Sequence, residues 1–205
     1  MSNNAAAAFK PYRPRAIRLL NALCRSLGIQ ANLDVDNLLA AARKKSGYEQ
    51  FGDNAFMPAL QKLLQSIDDE ANLHPFGRWV VRGRIIHALV LRARVHALIE
   101  QNPEILYEDI KAPLVIAGLQ RTGTTMLHRL LAADPNLRSL KSWEALNPLP
   151  LKNEKADDPS PRLREARVAE NGLKYLAPEF FKIHPVEAEA PEEDVPKTIA
   201  IVPGA

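Results

Sequence analysis

The stretch PLVIAGLQRTGTTMLHRLLAADP, residues 113–135, decides the fold class of this chain. It opens with the apolar run 113–118, which is typical of a strand buried on both faces of a sheet. A glycine-containing loop follows. Residues 124–133 then carry apolar side chains at helical spacing, until Asp134-Pro135 ends the helix. The order strand, loop, helix predicts the start of a nucleotide-binding α/β domain with a parallel sheet.

The loop itself, GLQRTGTT over residues 118–125, resembles a Walker phosphate loop (P-loop) that lacks its lysine. Both glycines and Thr125 stand at the expected spacing, Thr124 occupies the lysine position, and the positive charge has moved to Arg121. Glycines allow successive N–H groups to turn toward an anion, and the following helix adds the positive end of its dipole. The alternative is a tight turn without a ligand. It is the less favoured one, because α/β sheets bind ligands at the ends of buried strands.

The missing lysine bears on the chemistry, because a Walker lysine reaches the β- and γ-phosphates of a nucleoside triphosphate. Its absence makes hydrolysis of ATP or GTP a less favoured function. An arginine inside the loop suits a shorter anion that is held close to the backbone by bidentate hydrogen bonds.

The residues before the strand predict a helical region, 1–112, that differs in kind from the second part, 113–205. Four amphipathic helices are predicted, over about 15–27, 34–47, 54–73 and 76–101. The first part carries 15 basic and 11 acidic residues and 5 of the 16 prolines, whereas the second carries 12 basic, 13 acidic and 11 prolines. One further helix is predicted from Ser160 to Ala177.

The composition indicates an ordinary globular protein, with 46% hydrophobic and 25% charged residues. The single cysteine, Cys24, cannot form an intrachain disulfide, which fits a reducing, cytoplasmic location. Apolar runs such as 114–119 fall far short of the roughly 20 residues that span a bilayer. No transmembrane segment and no nucleic-acid partner are expected, whereas peripheral membrane contact stays open.

The fourth predicted helix carries several arginines that allow two interpretations. They form either a patch for polyanions or membrane surfaces, or the solvated face of an amphipathic helix, and we favour the second. The five are Arg78, Arg82, Arg84, Arg92 and Arg94. Histidines at 74, 87 and 96 have no spacing typical of a metal site, so no metal is expected.

The segment PLVIAGLQRTGTTMLHRLLAADPNLRSLKSWEALNPLP, residues 113–150, resembles the start of the catalytic domain of sulfotransferases. The similarity is to the bacterial group with a helical N-terminal extension, and it extends more loosely back to about Leu33 and forward to about Asp194. This family uses 3′-phosphoadenosine 5′-phosphosulfate (PAPS), and RTGTT matches its 5′-phosphosulfate loop.

The resemblance implies roles for individual residues. Arg121 would hold the 5′-phosphosulfate and stabilise the leaving phosphate, and the residues after it would bind the 5′-phosphate through backbone and hydroxyl donors. These are Thr122, Gly123, Thr124, Thr125 and Met126. No metal is required in this scheme, because sulfuryl transfer depends on positioning and electrostatics.

A general base is needed to take the proton of the acceptor, and the position that matches the family's glutamate is Glu144, which we place at the end of a short strand. The alternative role for Glu144 is that of a surface or salt-bridge residue. Trp143 beside it could form a partly apolar pocket wall, which would favour a basic carboxylate. His128 on the loop helix is a weaker candidate for the base, because an ordinary packing role is favoured there.

The resemblance also predicts a missing part. The residues that bind the 3′-phosphate lie on later elements of the family's domain, and the 93 residues after Ala112 show one clear strand. Each crossover unit takes about 30 residues or more, so a whole doubly wound sheet does not fit. The strand-like residues 198–202 and the prolines at 191 and 196 fit a fragment, a premature stop or a frame change near Val195.

Three functions follow from the sequence. The favoured one is a PAPS-dependent sulfotransferase acting on a hydroxyl or amine of a small molecule or carbohydrate, which as a truncated chain is expected to be inactive. The alternatives are a P-loop kinase or NTPase with a modified loop, and a non-catalytic interaction module. Neither the acceptor nor the oligomeric state follows from the sequence.

Overall fold

The computed structural model describes residues 12–109, 113–119, 122–152, 154–155, 157–182, 184 and 186–191. Within these residues the chain forms helices and connecting loops. The α-helices are α1 (Arg15–Ser26), α2 (Val35–Ser46), α3 (Met57–Asp69), α4 (Pro75–Gln101), α5 (Thr124–Leu131), α6 (Ser142–Leu146) and α7 (Ser160–Leu176), and short 3-10 helices cover Pro103–Tyr107 and Phe180–Lys182.

The helix boundaries follow from capping residues that are visible in the sequence. The Asp34 carboxylate accepts the N–H of Asn37 at the start of α2, and Gly47 ends this helix with a left-handed φ of 79°. Helix α3 begins at Met57, later than predicted, and Pro58 then lies in its first turn, where a missing N–H costs nothing. The predicted helices α1, α2, α4 and α7 are confirmed.

The hydrophobic core lies in the helical region, where α2 and α3 pack on the long helix α4. Leu38 and Ala42 of α2 are fully buried, and α4 contributes Ala93, which is also fully buried. The other members of this cluster are Leu33, Leu39, Phe51, Leu60, Leu64, Ile85, Ile86, Leu89 and Val90. The helical region therefore has an apolar core of its own.

Four of the five arginines on α4, Arg94 among them, donate hydrogen bonds to backbone carbonyls outside the helix. Arg78 binds Asp68 and the carbonyl of Ala31, and Arg82 donates to the carbonyl of Asn32. Arg92 donates to the carbonyl of Phe51 at 2.7 Å and to the Asp53 carboxylate at 3.0 Å. The prediction of a solvated face is wrong for Arg78 and Arg92, whose side chains are mostly buried and whose donors satisfy carbonyl groups of the loops beside α4.

Two side chains of α4 contact described residues of the second part of the chain. Nε2 of His87 lies 3.0 Å from the carbonyl oxygen of Leu146, and Arg94 donates to the carbonyl of Pro150. Residues 186–191, which we call the strap, run beside α6 and form an isolated antiparallel bridge between Lys141 and Pro191. The domain boundary at residue 112 stays a prediction.

The predicted buried strand at 113–118 is not found in the structure. Residues 113–119 have no strand hydrogen bonds, and the exposed fractions of Leu114 and Val115 are 63% and 78%. A strand requires a hydrogen-bonded neighbour, and the described residues contain no second strand that could pair with it. The parallel sheet therefore stays unconfirmed, and the predicted strand-like tail at 198–202 lies outside the described residues.

Among the described residues, no helix combines the length and the apolar character that are needed to cross a bilayer.

Candidate functional site

The predicted phosphate loop makes a sharp turn into α5. Gly123 has a left-handed φ of 91° directly before the helix, a conformation that side chains with a Cβ rarely adopt. The hydroxyl of Thr122 donates to the carbonyl of Leu119 at 2.6 Å, which closes the turn across three residues. The structure therefore supports the prediction that residues 122–124 form a tight, glycine-dependent turn at a helix start.

Residue 118 also has to be a glycine, because neighbouring side chains occupy the space where a Cβ would lie. A Cβ placed on it would lie 2.9 Å from Cγ2 of Thr124 and 3.0 Å from Oγ1 of Thr122. The second atom is a hydroxyl oxygen of the turn and the first belongs to the opening residue of α5. A larger residue at 118 would thus push apart the two ends of the loop.

The residues that are predicted to bind the 5′-phosphate lie at the N-terminal end of α5. Thr124 and Thr125 are half-buried in the first turn, whereas Met126 is exposed. The N-terminus of a helix carries the positive end of its dipole, which favours an anion at this position. Arg121, the residue expected to bind the phosphosulfate, lies outside the described residues.

His128 is half-buried on α5, four residues after Thr124. That spacing places the two side chains on one face of the helix. Its role as a base stays a prediction.

Glu144 lies on α6 and not at the end of a strand, so the predicted location is wrong. It is the third residue of this short helix, and its Oε2 accepts the N–H of Lys141 at 3.0 Å. This hydrogen bond from the residue before the helix is half of a capping box. The local sequence therefore uses Glu144 to begin α6.

The second oxygen of Glu144 is engaged as well. Oε1 accepts a hydrogen bond of 2.6 Å from Arg138, whose side chain is largely exposed, while that of Glu144 is mostly buried. Both carboxylate oxygens thus already accept hydrogen bonds. To take a proton from an acceptor hydroxyl, Glu144 would have to share or release one of these partners.

A cation lies over the indole ring of Trp143, and the role of Trp143 as a partly apolar pocket wall stays a prediction. The guanidinium of Arg162, on α7, lies 4.8 Å from the centre of the indole. The same guanidinium donates to Glu154 at 2.6 Å and to the carbonyl of Asn147 at 3.3 Å. The Glu154 side chain is 1% exposed, so a buried ion pair connects α7 to the residues around α6.

The strap connects the loop helix with the helix of Glu144. On one side, Arg129 of α5 lies 3.5 Å from the Glu187 carboxylate. On the other, the N–H groups of Trp143 and Ser142 donate to the carbonyls of Ala188 and Ala190 at 3.0 Å and 2.9 Å. The structure thereby brings α5 and α6 to one strap.

The acidic run from Glu187 to Asp194 in the sequence predicts a solvated face, with guidance of the acceptor as the alternative. In the structure Glu187 lies near Arg129, and Glu189 accepts a hydrogen bond from Arg167 of α7. Both carboxylates are exposed yet paired. Sequence analysis did not identify these arginines, because no local pattern indicates a pairing between residues 22 and 58 positions apart.

Metal binding has no support in the part of the chain that the structure describes, where no group of three or more His, Cys, Asp or Glu side chains is arranged to hold an ion.

Comparison with known proteins adds to this geometry. A family model described as the sulfotransferase family matches residues 113–200. The crystal structure of sulfotransferase STF1 from Mycobacterium tuberculosis H37Rv is similar at a TM-score of 0.59 and 30% identity, over 81% of this chain and 47% of that one. That of sulfotransferase STF9 from Mycobacterium avium has a TM-score of 0.67 and 26% identity, over 82% and 44%. The chain thus spans less than half the length of either. No curated protein gives a significant match.

Proposed function

Because residues 113–200 match the sulfotransferase family model, we propose that the loop at 118–126 holds the 5′-phosphosulfate of PAPS for transfer of the sulfuryl group. The observation that carries this proposal is the turn into α5. Gly118 has no room for a Cβ, Gly123 is left-handed, and the helix starts at Thr124. A compact turn at the positive end of a helix suits a small anion such as a phosphate ester.

The reaction is a single displacement at sulfur. An oxygen or nitrogen of the acceptor forms a bond to sulfur while the bond from sulfur to the bridging oxygen breaks. Adenosine 3′,5′-bisphosphate then leaves with the electron pair of that bond. Arg121 stabilises the charge that develops on the bridging oxygen, and the donors of residues 122–126 hold the 5′-phosphate. No step requires a metal.

The acceptor proton goes to a base, for which Glu144 is the proposed group and His128 the second choice. The Glu144 carboxylate is held in one orientation by the Lys141 N–H, and its other oxygen is paired with Arg138. Arg138 can leave when a ligand enters, because its side chain is 80% exposed. One carboxylate oxygen would then become available for the acceptor, which we propose is a small molecule or carbohydrate.

We further propose that these 205 residues alone bind the donor weakly and show no turnover. The apolar side chains of 113–119 are exposed instead of buried in a sheet. The solved relatives are more than twice as long as the part that this chain matches. Turnover by the purified chain that Arg121→Ala abolishes would contradict this proposal.

The buried free thiol of Cys24 supports a cytoplasmic location.

The donor proposal is tested by calorimetry on a longer form of the protein that carries the whole catalytic domain, with adenosine 3′,5′-bisphosphate, PAPS, and ATP with Mg²⁺ as ligands. The two 3′-phosphorylated nucleotides should bind more tightly than ATP, and Arg121→Ala should weaken them about tenfold or more. Arg164→Ala, which removes an exposed arginine of α7, is the control and should change nothing. A preference for ATP with Mg²⁺ would favour the kinase alternative. Binding of neither nucleotide would favour a non-catalytic interaction module.

A further inference from the structure

Helix α1 exposes a line of leucines. Leu19, Leu23 and Leu27 follow one another at intervals of four residues and are 72%, 57% and 62% exposed. Side chains at this spacing lie above one another on one side of a helix. Each of the three is thus an apolar group in contact with solvent, and together they form the leucine flank of α1.

The opposite side of α1 already fixes the helix to the fold. Asn21 and Cys24 are buried, and Oδ1 of Asn21 accepts the N–H of Phe76 at 2.9 Å at the start of α4. At about 100° per residue, Leu23 lies about 100° or more around the helix from both of them. The leucine flank therefore takes no part in holding α1 to the rest of the described structure.

The segment of sequence that contains α1 carries charged side chains of one sign, and the Glu179 carboxylate of the second part of the chain accepts the N–H of Tyr12 at 3.1 Å just before the helix. The first 33 residues contain five basic side chains and no acidic one, a net charge of +5, whereas the whole chain has +3. Arg15, Arg18 and Arg25 of α1 are exposed, and among the described residues no salt bridge joins any of them to a carboxylate. They differ in this from Arg78 and Arg92 of α4, which are both paired.

This combination indicates which kind of partner fits the helix. Exposed leucines beside arginines, with no acidic residue, are typical of helices that lie in the interface of a membrane containing anionic lipids. The leucines enter the acyl boundary while the arginines stay at the level of the headgroups. A nucleic acid would use the arginines and gain little from the leucines, because it recognises proteins through phosphate contacts and base stacking.

We propose that α1 binds an anionic lipid surface through its leucine flank and its exposed arginines. This proposal is independent of the proposed function, because it uses no residue of the phosphate loop or of α6. Binding would place the chain at the membrane surface.

The test is co-sedimentation of the full 205-residue chain with phosphatidylcholine vesicles, with and without about 30% phosphatidylglycerol. The chain should pellet with the anionic vesicles, and high salt should weaken the binding. Leu19→Ser with Leu23→Ser, and separately Arg15→Glu with Arg18→Glu, should each reduce the bound fraction about tenfold.

Matched control variants change the same chemistry elsewhere. Leu106→Ser with Tyr107→Ser removes two exposed apolar groups from the 3-10 helix that follows the C-terminal end of α4. Lys44→Glu with Lys45→Glu reverses two exposed charges on α2. Both should bind vesicles like the parent chain. Circular dichroism of every variant verifies its helix content, and the arginine variant keeps the test valid if the serine variant fails to fold.

Several results would overturn the proposal. These are absence of pelleting, equal binding to neutral and anionic vesicles, or unchanged binding by the arginine variant. A dimer in solution that the leucine variant dissociates, without vesicle binding, would assign the leucine flank to a second copy of the chain. Binding to single-stranded RNA that the leucine variant leaves unchanged, without vesicle binding, would assign the arginines to a nucleic acid.

Discussion

Arg138 and Glu144 form a hydrogen-bonded ion pair of 2.6 Å across the turn that leads into α6. The second oxygen of the same carboxylate accepts the N–H of Lys141. The proposed base is therefore also a structural residue. An experiment on its chemistry has to separate these two roles.

Glu144→Gln makes that separation. A glutamine side chain can still accept the Lys141 N–H, as Glu and Gln both do in capping boxes, but it cannot take a proton. In a form of the enzyme that turns over, we expect kcat to fall about 100-fold or more, with PAPS affinity and thermal stability nearly unchanged. Unaltered turnover would show that Glu144 is not the base. The turnover of a His128 variant would then be measured in the same way.

Gly118→Ala should damage the phosphate loop without unfolding the helical region. The new Cβ would lie 2.9 Å from Thr124 Cγ2 and 3.0 Å from Thr122 Oγ1, so the loop has to open. We expect calorimetry to show about tenfold weaker binding of adenosine 3′,5′-bisphosphate.

Gly83→Ala is the matched control for this substitution. A Cβ at Gly83 meets nothing within 4 Å on α4, and alanine favours a helix by up to about 1 kcal/mol. This variant should bind nucleotide normally and unfold at a slightly higher temperature. A loss of binding in both variants would show that the loop contact is not the cause.

Glu154→Gln should destabilise the second part of the chain. The Glu154 side chain is 1% exposed and is paired with Arg162, whose guanidinium would be left buried with a neutral partner. Removing one partner of a buried pair costs about 3–5 kcal/mol, and urea unfolding measures the loss. Arg138→Gln breaks a pair in which one side chain is 80% exposed, and should cost about 1 kcal/mol or less. Equal costs would contradict this ranking.

Acid should loosen the start of α4. Burial, followed by the positive charges of Arg13 and Arg25, lowers the pKa of His74, and its neutral Nδ1 accepts the Gly77 N–H at 2.8 Å. Because the folded-state pKa lies below the ordinary value of about 6.5, this contribution to stability is present above that pH. It is lost as the pH falls through the folded-state pKa.

His74→Asn should remove this part of the pH dependence and keep the cap, since asparagine is a good N-cap residue and does not titrate. Thermal unfolding between about pH 7.5 and 5 compares the two proteins. A parent chain whose midpoint is no more sensitive to acid than that of His74→Asn would contradict the role of His74.

Much of the helical region could be predicted, because its signals are local. Asp34 caps the residue three positions later, and Gly47 ends the same helix by its own φ. The turn at Gly123 followed likewise from neighbouring residues. The location of Glu144 was predicted incorrectly, because a helix of five residues has too little periodicity to differ from a short strand.

The apolar run at 113–118 shows a second reason why prediction from the sequence failed. Its composition is typical of a buried strand, yet Leu114 and Val115 are exposed among the described residues. Hydrophobicity indicates that a segment favours burial. Whether it is buried depends on a hydrogen-bonded neighbour that the segment itself does not contain.

The sequence by itself determined the caps, the glycine-dependent turn at 122–124 and the match of residues 113–200 to the sulfotransferase family model, since each depends on residues close together along the chain. Tertiary structure alone decided which charges pair. Arg162 contacts both Trp143 and Glu154, Arg129 reaches Glu187, and the arginines of α1 have no such carboxylate among the described residues. Ion pairs between distant residues exist only where packing brings two elements together, so no local pattern could have indicated them.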